Sequence, residues 1–278
     1  MRIVRQGICL WAVVLLSLAS MCHAQSTPVT PEDEFKQKIR VSQDIQPLED
    51  KPFGENISLY NGSLSFTQTD VDAPGNGPDL LLTRSYQLPD LPANQYYVGI
   101  ETSALTDWTL NVPRIETVSA QDAWQNKQWF FLEDTQRCTN FRPAPDISVQ
   151  QTPQTPPTDY QPEEWWHGYQ MITADGASQD LLKRASQNTL SPSMSGVSFP
   201  IVTKQHWMIR CLAQTSNGQP GEGFLAVAPD GTKYWFDWLA YKEAPAIIQK
   251  AGSALRRRVA MMLASRVEDR FGNSLTYA

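Results

Sequence analysis

Histidine is scarce in this sequence. The 278 residues hold three, His23, His167 and His206, none with another histidine or a cysteine at metal-ligand spacing. A zinc centre is not expected, nor any other metal. Cysteine is scarcer than its count of 4 suggests, because Cys9 and Cys22 fall in an N-terminal leader and only Cys138 and Cys211 remain beyond it. No G-x-S-x-G occurs, and Ser193-Met194-Ser195-Gly196 lacks the leading glycine and the strand-to-helix setting of a nucleophile elbow. Gly218 to Gly223 is glycine-rich but lacks the Gly-Lys-Ser/Thr ending of a phosphate loop, so it reads as the lead-in to a hairpin. Basic residues are outnumbered by acidic ones, 23 to 29. The formal net charge is −6, and −8 once Arg2 and Arg5 leave with the leader, a balance that repels phosphate backbones and argues against nucleic acid as a partner. The triple Arg256-Arg257-Arg258 reads as a solvated strand or loop edge. These absences leave no catalytic residues and no cofactor to assign, and the chain is read as a non-enzyme.

The first 24 residues look like an export signal. Arg2 and Arg5 form a positive start, Ile8 to Leu18 an apolar centre, and Cys22-His23-Ala24 a small-residue cleavage site. The apolar run is about a dozen residues against the roughly 20 a membrane span needs. Acylation at Cys22 is disfavoured by Ser20-Met21, a poor match to the residues that precede a lipidated cysteine. Export makes the expected location extracellular, cell-surface or periplasmic. A disulfide between Cys138 and Cys211 is the natural reading in such a compartment, with two separately buried thiols as the alternative.

What the sequence does have is alternation. After a polar leader over residues 25–50, Ile57 and Leu59, then Leu64 and Phe66, flank the turn pair Asn61-Gly62. Leu80, Leu81 and Leu82 open a buried strand ending at Tyr86, and further strands are expected from Trp108 to Phe141, with Trp129 to Leu132 covering both faces. Residues 143–163 are proline-rich and read as a surface excursion that cannot pair centrally in a sheet. A second block, 164–278, contains a serine-rich loop near 186–198 and a hairpin whose strands, Phe224 to Ala228 and Thr232 to Trp238, flank Pro229-Asp230-Gly231. Tyr234, Phe236 and Trp238 are expected on one face of it. From Ala244 the composition favours a short helix or loop, then a strand from about Val259. Arg266 to Asp269 and Ser274 to Tyr277 form a last hairpin around Phe271-Gly272-Asn273, with Leu275 and Tyr277 sharing a face. The fold class is all-β, built of antiparallel hairpins, with the N-terminal β region at 51–142.

Two acidic pairs and the tryptophans raise binding questions. Asp70 and Asp72 could hold calcium, but no further acid is spaced to complete a site, so a solvated strand end is the simpler reading. Glu163 and Glu164 are adjacent, and on a strand they would face opposite ways, which excludes an acid and nucleophile acting on one bond. Eight of the nine tryptophans lie beyond the leader. Most are expected in the core; Trp165 and Trp166 are the speculative ligand-binding pair, for carbohydrate.

Three segments carry a family resemblance. PFGENISLYNGSLSFTQTDVDAPGNGPDLLLTRSY (Pro52 to Tyr86), GEGFLAVAPDGTKYWFDW (Gly221 to Trp238) and RVEDRFGNSLTY (Arg266 to Tyr277) resemble, in order, the N-terminal region of secreted RHS proteins of the polymorphic-toxin type. The last is similar to the opening half of a YD repeat, carried by Asp269, Arg270, Phe271, Gly272, Asn273 and Tyr277. The resemblance implies the cap and first strands of a spiral β-shell that encloses a C-terminal toxin or effector. It implies a truncated or split frame, or a fragment, whose partners are a downstream repeat shell and its effector. It also implies an unfinished edge prone to self-association. The alternative is a free-standing extracellular domain that binds carbohydrate or cell envelope.

Overall fold

The computed structural model describes residues 30–31, 55–57, 64–87, 108–122, 127–150, 152–185, 197–249 and 253–277. The export signal, nearly all of the polar leader, the Asn61-Gly62 turn and the serine-rich residues 186–196 lie outside the described residues. In chain order the strands are β1 (Glu55–Ile57), β2 (Leu64–Ala73), β3 (Leu80–Gln87), β4 (Thr109–Asn111), β5 (Arg114–Ala120), β6 (Ile147–Val149) and β7 (Thr158–Tyr160). A four-residue helix, α1 (Pro162–Trp165), follows, and then β8 (Tyr169–Ile172), β9 (Ser178–Asp180), β10 (Leu182–Lys183), β11 (Ile201–Val202) and β12 (Met208–Leu212). The last four are β13 (Gly223–Val227), β14 (Lys233–Ile247), β15 (Leu255–Glu268) and β16 (Ser274–Thr276). The protein is all-β and its sheets are antiparallel, as the alternation implied.

Ten strands form one large sheet in the order β10-β11-β12-β13-β14-β15-β5-β8-β9, with β16 also on β15. Its two outermost strands, β9 and β10, are separated in the chain by Leu181 alone, so the sheet curls back on itself into a nearly closed barrel. Thr203 Oγ1 donates to Gln179 Oε1 at 2.9 Å across that seam. The sheet draws β5 from the first sequence block and sets it between β15 and β8 of the second. Ile115, Met171, Ile201, Ile209, Phe224, Phe236 and Met262 are fully buried and form its core. Burial of such side chains stabilises by about 1.5–3 kcal/mol each.

The turns at Gly231 and Gly272 form where the sequence placed them. Gly231 takes φ of 91°, Ala228 N–H donates to Thr232 O at 2.8 Å, and Asp230 Oδ1 accepts from Thr232 N–H at 2.8 Å. Glycine is needed there because a side chain at positive φ is strained. The strand that follows departs from simple alternation. Pairing with β15 shifts register on both sides of Phe236, so Trp238 turns outward and Leu239 takes the inward place after Phe236.

Three other expectations are corrected. Residues 129–141 are turns, with one bridge from Gln121 to Trp129, and Phe131 sits at φ of 64°. Their aromatic residues are apolar because the segment lies across the inside of the sheet: Phe131 stacks on Phe224 of β13 with ring centres 6.3 Å apart and also meets Tyr169 of β8 at 5.7 Å. The proline-rich segment is largely exposed and stays out of the large sheet, but it is anchored rather than a bare excursion. It forms the separate β6–β7 hairpin, whose Ile147, Val149 and Tyr160 are buried. The Tyr160 hydroxyl donates to Ser253 O at 2.5 Å and accepts from Gln249 N–H at 3.3 Å, strapping the two ends of the β14–β15 connection. Among the described residues no helix forms after Ala244, and 248–249 and 253–254 are loop. β14 runs on through Pro245 at a register shift, and β15 begins at Leu255, because partners on both of its edges outweigh helical propensity. Cross-strand Glu243 and Arg258 pair at 2.8 Å.

The small sheet, in order β1-β2-β3-β4, leans on the large one. Thr83 Oγ1 donates to Ala174 O at 3.2 Å and accepts from Asn111 Nδ2 at 2.9 Å. Cys138 and Cys211 are joined, with Cα atoms 5.4 Å apart and a separation of 73 in sequence. The bond ties the crossing segment to β12. By the chain-entropy argument a loop of this length is worth roughly 4 kcal/mol. Replacing both cysteines by alanine is expected to lower the urea-unfolding free energy by about 2–4 kcal/mol. A loss below about 0.5 kcal/mol would show that the crossing segment does not depend on the bond.

Candidate functional site

Trp165 is buried and Trp166 half-buried, so the pair presents no shared exposed face. Trp165 is 0% exposed, and its ring meets Phe130 edge to face at 5.9 Å. Trp166 donates its indole N–H to Thr117 Oγ1 at 2.8 Å and packs against Phe130 and Tyr169. Both lie where α1 presses on the crossing segment, so their apolar faces are used for packing. Glu163 and Glu164 stand in the first turn of α1, not on a strand; Glu164 Oε2 accepts from Gln161 N–H at 2.7 Å and Oε1 from Gln249 Nε2 at 3.2 Å. Asp70 sits at a bulge in β2 and pairs with Arg84 at 3.2 Å. Among the described residues no group of three His, Cys, Asp or Glu side chains could hold a metal ion.

The segment that crosses the sheet is anchored by Arg137, which is buried. Its Nη1 donates to Glu222 O at 2.9 Å, Nη2 to Pro220 O at 2.9 Å and Leu132 O at 3.2 Å, and Nε to Phe131 O at 3.3 Å. Desolvation lowers the guanidinium pKa from its ordinary value, opposed by Asp134 and Glu222. Glu222 completes the joint: its Oε2 accepts from Cys138 N–H at 3.0 Å and Thr139 N–H at 2.8 Å, beside the disulfide. Gly221, at φ of 100°, passes so close that a Cβ there would stand 2.7 Å from Thr135 Cα. The glycine-rich run read as a hairpin lead-in thus serves as the socket for Arg137. Nothing in the spacing of Arg137 and Glu222 announced the pairing, since 83–85 residues separate Arg137 and Cys138 from their partners.

Two open clefts flank this joint and share Trp129 and Glu133. The larger, about 380 Å³, is walled by Asp122, Asp134, Asn140, Arg142 and Asp146. The smaller, about 290 Å³, lies between Leu132, Gln219, the middle of β14 at Leu239, Ala240 and Tyr241, and Arg258 of β15. There the Arg258 guanidinium is held between the rings of Trp129 and Tyr241, 4.4 and 4.3 Å from their centres.

The YD-like residues form a closed turn. Asp269 Oδ1 accepts from Phe271 N–H at 2.8 Å and Asn273 N–H at 2.9 Å, and Oδ2 from Asn273 Nδ2 at 2.7 Å. The Asn273 side-chain hydrogen bond, then these backbone donors, hold the exposed Asp269 carboxyl below its ordinary pKa. Gly272 takes φ of 90°. Arg270 lies over the Phe271 ring at 4.7 Å, and Phe271 is 76% exposed at the tip. Asn273 Nδ2 also reaches Asn76 O at 3.2 Å, joining this turn to the β2–β3 turn. Tyr277 packs against the core beyond β16.

The architecture defines a disulfide-braced all-β protein whose large curved sheet is crossed by an irregular aromatic segment. Compared with known proteins, the chain matches no family model, no curated protein and no solved structure.

Burial raises the pKa of four tyrosines. Tyr234 is pushed up to about 12 by burial and then by nearby Asp230, Tyr277 and Asp175; Tyr169 is pushed higher, and Tyr160 and Tyr277 are also raised, each chiefly by burial. A raised folded-state pKa means that the folded form holds its proton where the unfolded form, near 10, has begun to lose it. The stability contribution is whole below pH 10 and is lost as pH rises through 12. Urea unfolding should therefore show stability falling between pH 10 and 12, less steeply in Tyr234→Phe. Tyrosinate absorbance rising in one step near pH 10 without unfolding would contradict these shifts.

Proposed function

We propose that the chain is a non-enzymatic structural module, the N-terminal export and cap part of an RHS-type β-shell that would enclose a C-terminal toxin or effector. The observation that supports this reading most is an unbroken meander. From β10 through β16 every strand among the described residues pairs antiparallel with the next in sequence. A sheet laid down that way grows one hairpin at a time, as a shell of strand-turn-strand repeats requires. The three segments that resemble the family contribute β1 to β3, the β13–β14 hairpin and the β15–β16 hairpin. The disulfide is compatible with an oxidising compartment, and the export signal would deliver the chain outside the cytoplasm, to the surface, periplasm or medium.

The growing edge is β16. Tyr277 N–H donates to Ser265 O and Asp269 N–H to Asn273 O, so the odd-numbered residues of the hairpin's returning arm face β15. In an antiparallel strand the alternate residues, Ser274 and Thr276, then turn their backbone groups outward. No strand pairs with that edge among the described residues. The reading expects residues 25–278, made alone, to associate through it. Sedimentation should show concentration-dependent oligomers that Thr276→Pro, which removes an outward N–H and spares the β15 ladder, returns to monomer. A cooperatively folded monomer at all concentrations would favour a free-standing binding domain instead.

A further inference from the structure

On its outer face the large sheet carries an apolar band set between opposite charges. Side-chain alternation fixes which residues lie there. Leu239, Met262, Ala260, Ile115 and Met171 are buried on the inner face, so their neighbours along each strand point outward. Cross-strand pairing then sets Trp238 of β14 beside Leu263 of β15, Ala240 beside Met261, and Lys242 beside Val259. Trp238 is 42% exposed, and Leu263, Met261 and Val259 are half-buried. Lys242, exposed, makes the β14 side of this band positive. The other side is negative. Met261 stands opposite Glu116 of β5, and the same row runs through Gln170 of β8 to the exposed Asp180 of β9. Arg114 holds the Glu116 carboxylate in that row at 2.7 Å.

The order of the charges selects the partner. A face that binds its own copy about a two-fold axis must be self-complementary, each group meeting its match across the axis. An axis running along β15 achieves this, because it lays β14 of each copy over β5 of the other. Met261 then meets its own counterpart, and Lys242 approaches the partner's Glu116. A partner of a single charge sign would be repelled along one flank. The apolar centre suits the same role, since tryptophan and methionine are enriched where interfaces exclude water. We propose that the outer face of β14, β15 and β5, centred on Met261, docks a second copy of this chain about a two-fold axis. The sheet is convex there, so the contact is small and the pairing weak. It uses no part of the β16 edge, it closes at two copies, and it does not rest on the shell reading.

The test uses residues 25–278 carrying Thr276→Pro, so that edge pairing is blocked, concentrated to about 1 mM, far above the range in which edge pairing is read. Sedimentation should show monomer and dimer with no larger species. Trp238→Ala and Lys242→Glu, added singly, should each raise the dissociation constant about tenfold or more, and thermal unfolding checks that both variants keep their fold. Cross-linking locates the axis. Facing sheets stand about 10 Å apart, too far for a disulfide, so Met261→Cys should join to its counterpart through a short bis-maleimide. Leu182→Cys, exposed on β10 at one end of the strand order, should not. If the chain does not associate through β16 at all, the same dimer is expected without Thr276→Pro. A monomer at about 1 mM, a dimer indifferent to both Trp238→Ala and Lys242→Glu, or cross-linking at position 182 in place of 261 would each overturn the assignment.

Discussion

The two edges of β15 must find partners along 14 residues, and the rest of the sheet is arranged around that demand. On one side β14 accompanies it along nearly its full length, from Lys233 opposite Glu268 to Ile247 opposite Leu255. On the other side no single strand suffices. β5 covers Arg257 to Leu263, and β16 covers Arg266 to Glu268. The handover falls where Ala264 N–H donates to Pro113 O at 2.9 Å, the residue before β5 begins. Leaving such a run of buried backbone groups unpaired would cost about 1–3 kcal/mol for each. Two distant parts of the sequence therefore meet on one strand, and the barrel closes behind them.

The constraint also explains what the inside looks like. A sheet curled this tightly leaves an interior that its own short strands, several of only two or three residues, do not fill. The segment after β5 crosses it and supplies Phe130, Phe131 and Phe141, while α1 and the β6–β7 hairpin add Trp165 and Tyr160. An irregular segment in such a place brings unpaired carbonyls with it, and Arg137 satisfies two of them, Phe131 O and Leu132 O, together with Pro220 O and Glu222 O of the facing run. The clefts lie on either side of Trp129 and Glu133 of this segment, so the same element that closes the core also shapes them.

Hairpins were legible in the sequence because their signals are local. Asp230-Gly231 and Gly272 mark positive-φ turns, and the alternating residues around them settle the strands on each side. Long-range pairing was not legible. From Ala244 the composition reads as helix or loop, yet Ala244–Ile247 pairs with β15, and β15 in turn finds β5 over 100 residues away. The outward turn of Trp238 depends on bulges that only the pairing with β15 creates. Trp165 and Trp166 stood out as large aromatics beside carboxylates, and that pattern fits a buried helix contact as well as it fits a sugar platform. The residues that line the smaller open cleft, among them Trp129, Glu133, Gln219, Tyr241 and Arg258, come from four separated segments and had no common signal to find them by.

Amide hydrogen exchange resolved to single residues tests the central claim, that β15 binds both sequence blocks into one cooperative sheet. The amides of β5 and those of β15 from Arg257 to Leu263 that bond across their shared edge should exchange with the same free energy, close to that of global unfolding. If β5 instead opens in a separate, faster unit while β14 and β15 remain protected, the two blocks fold apart and the account is wrong.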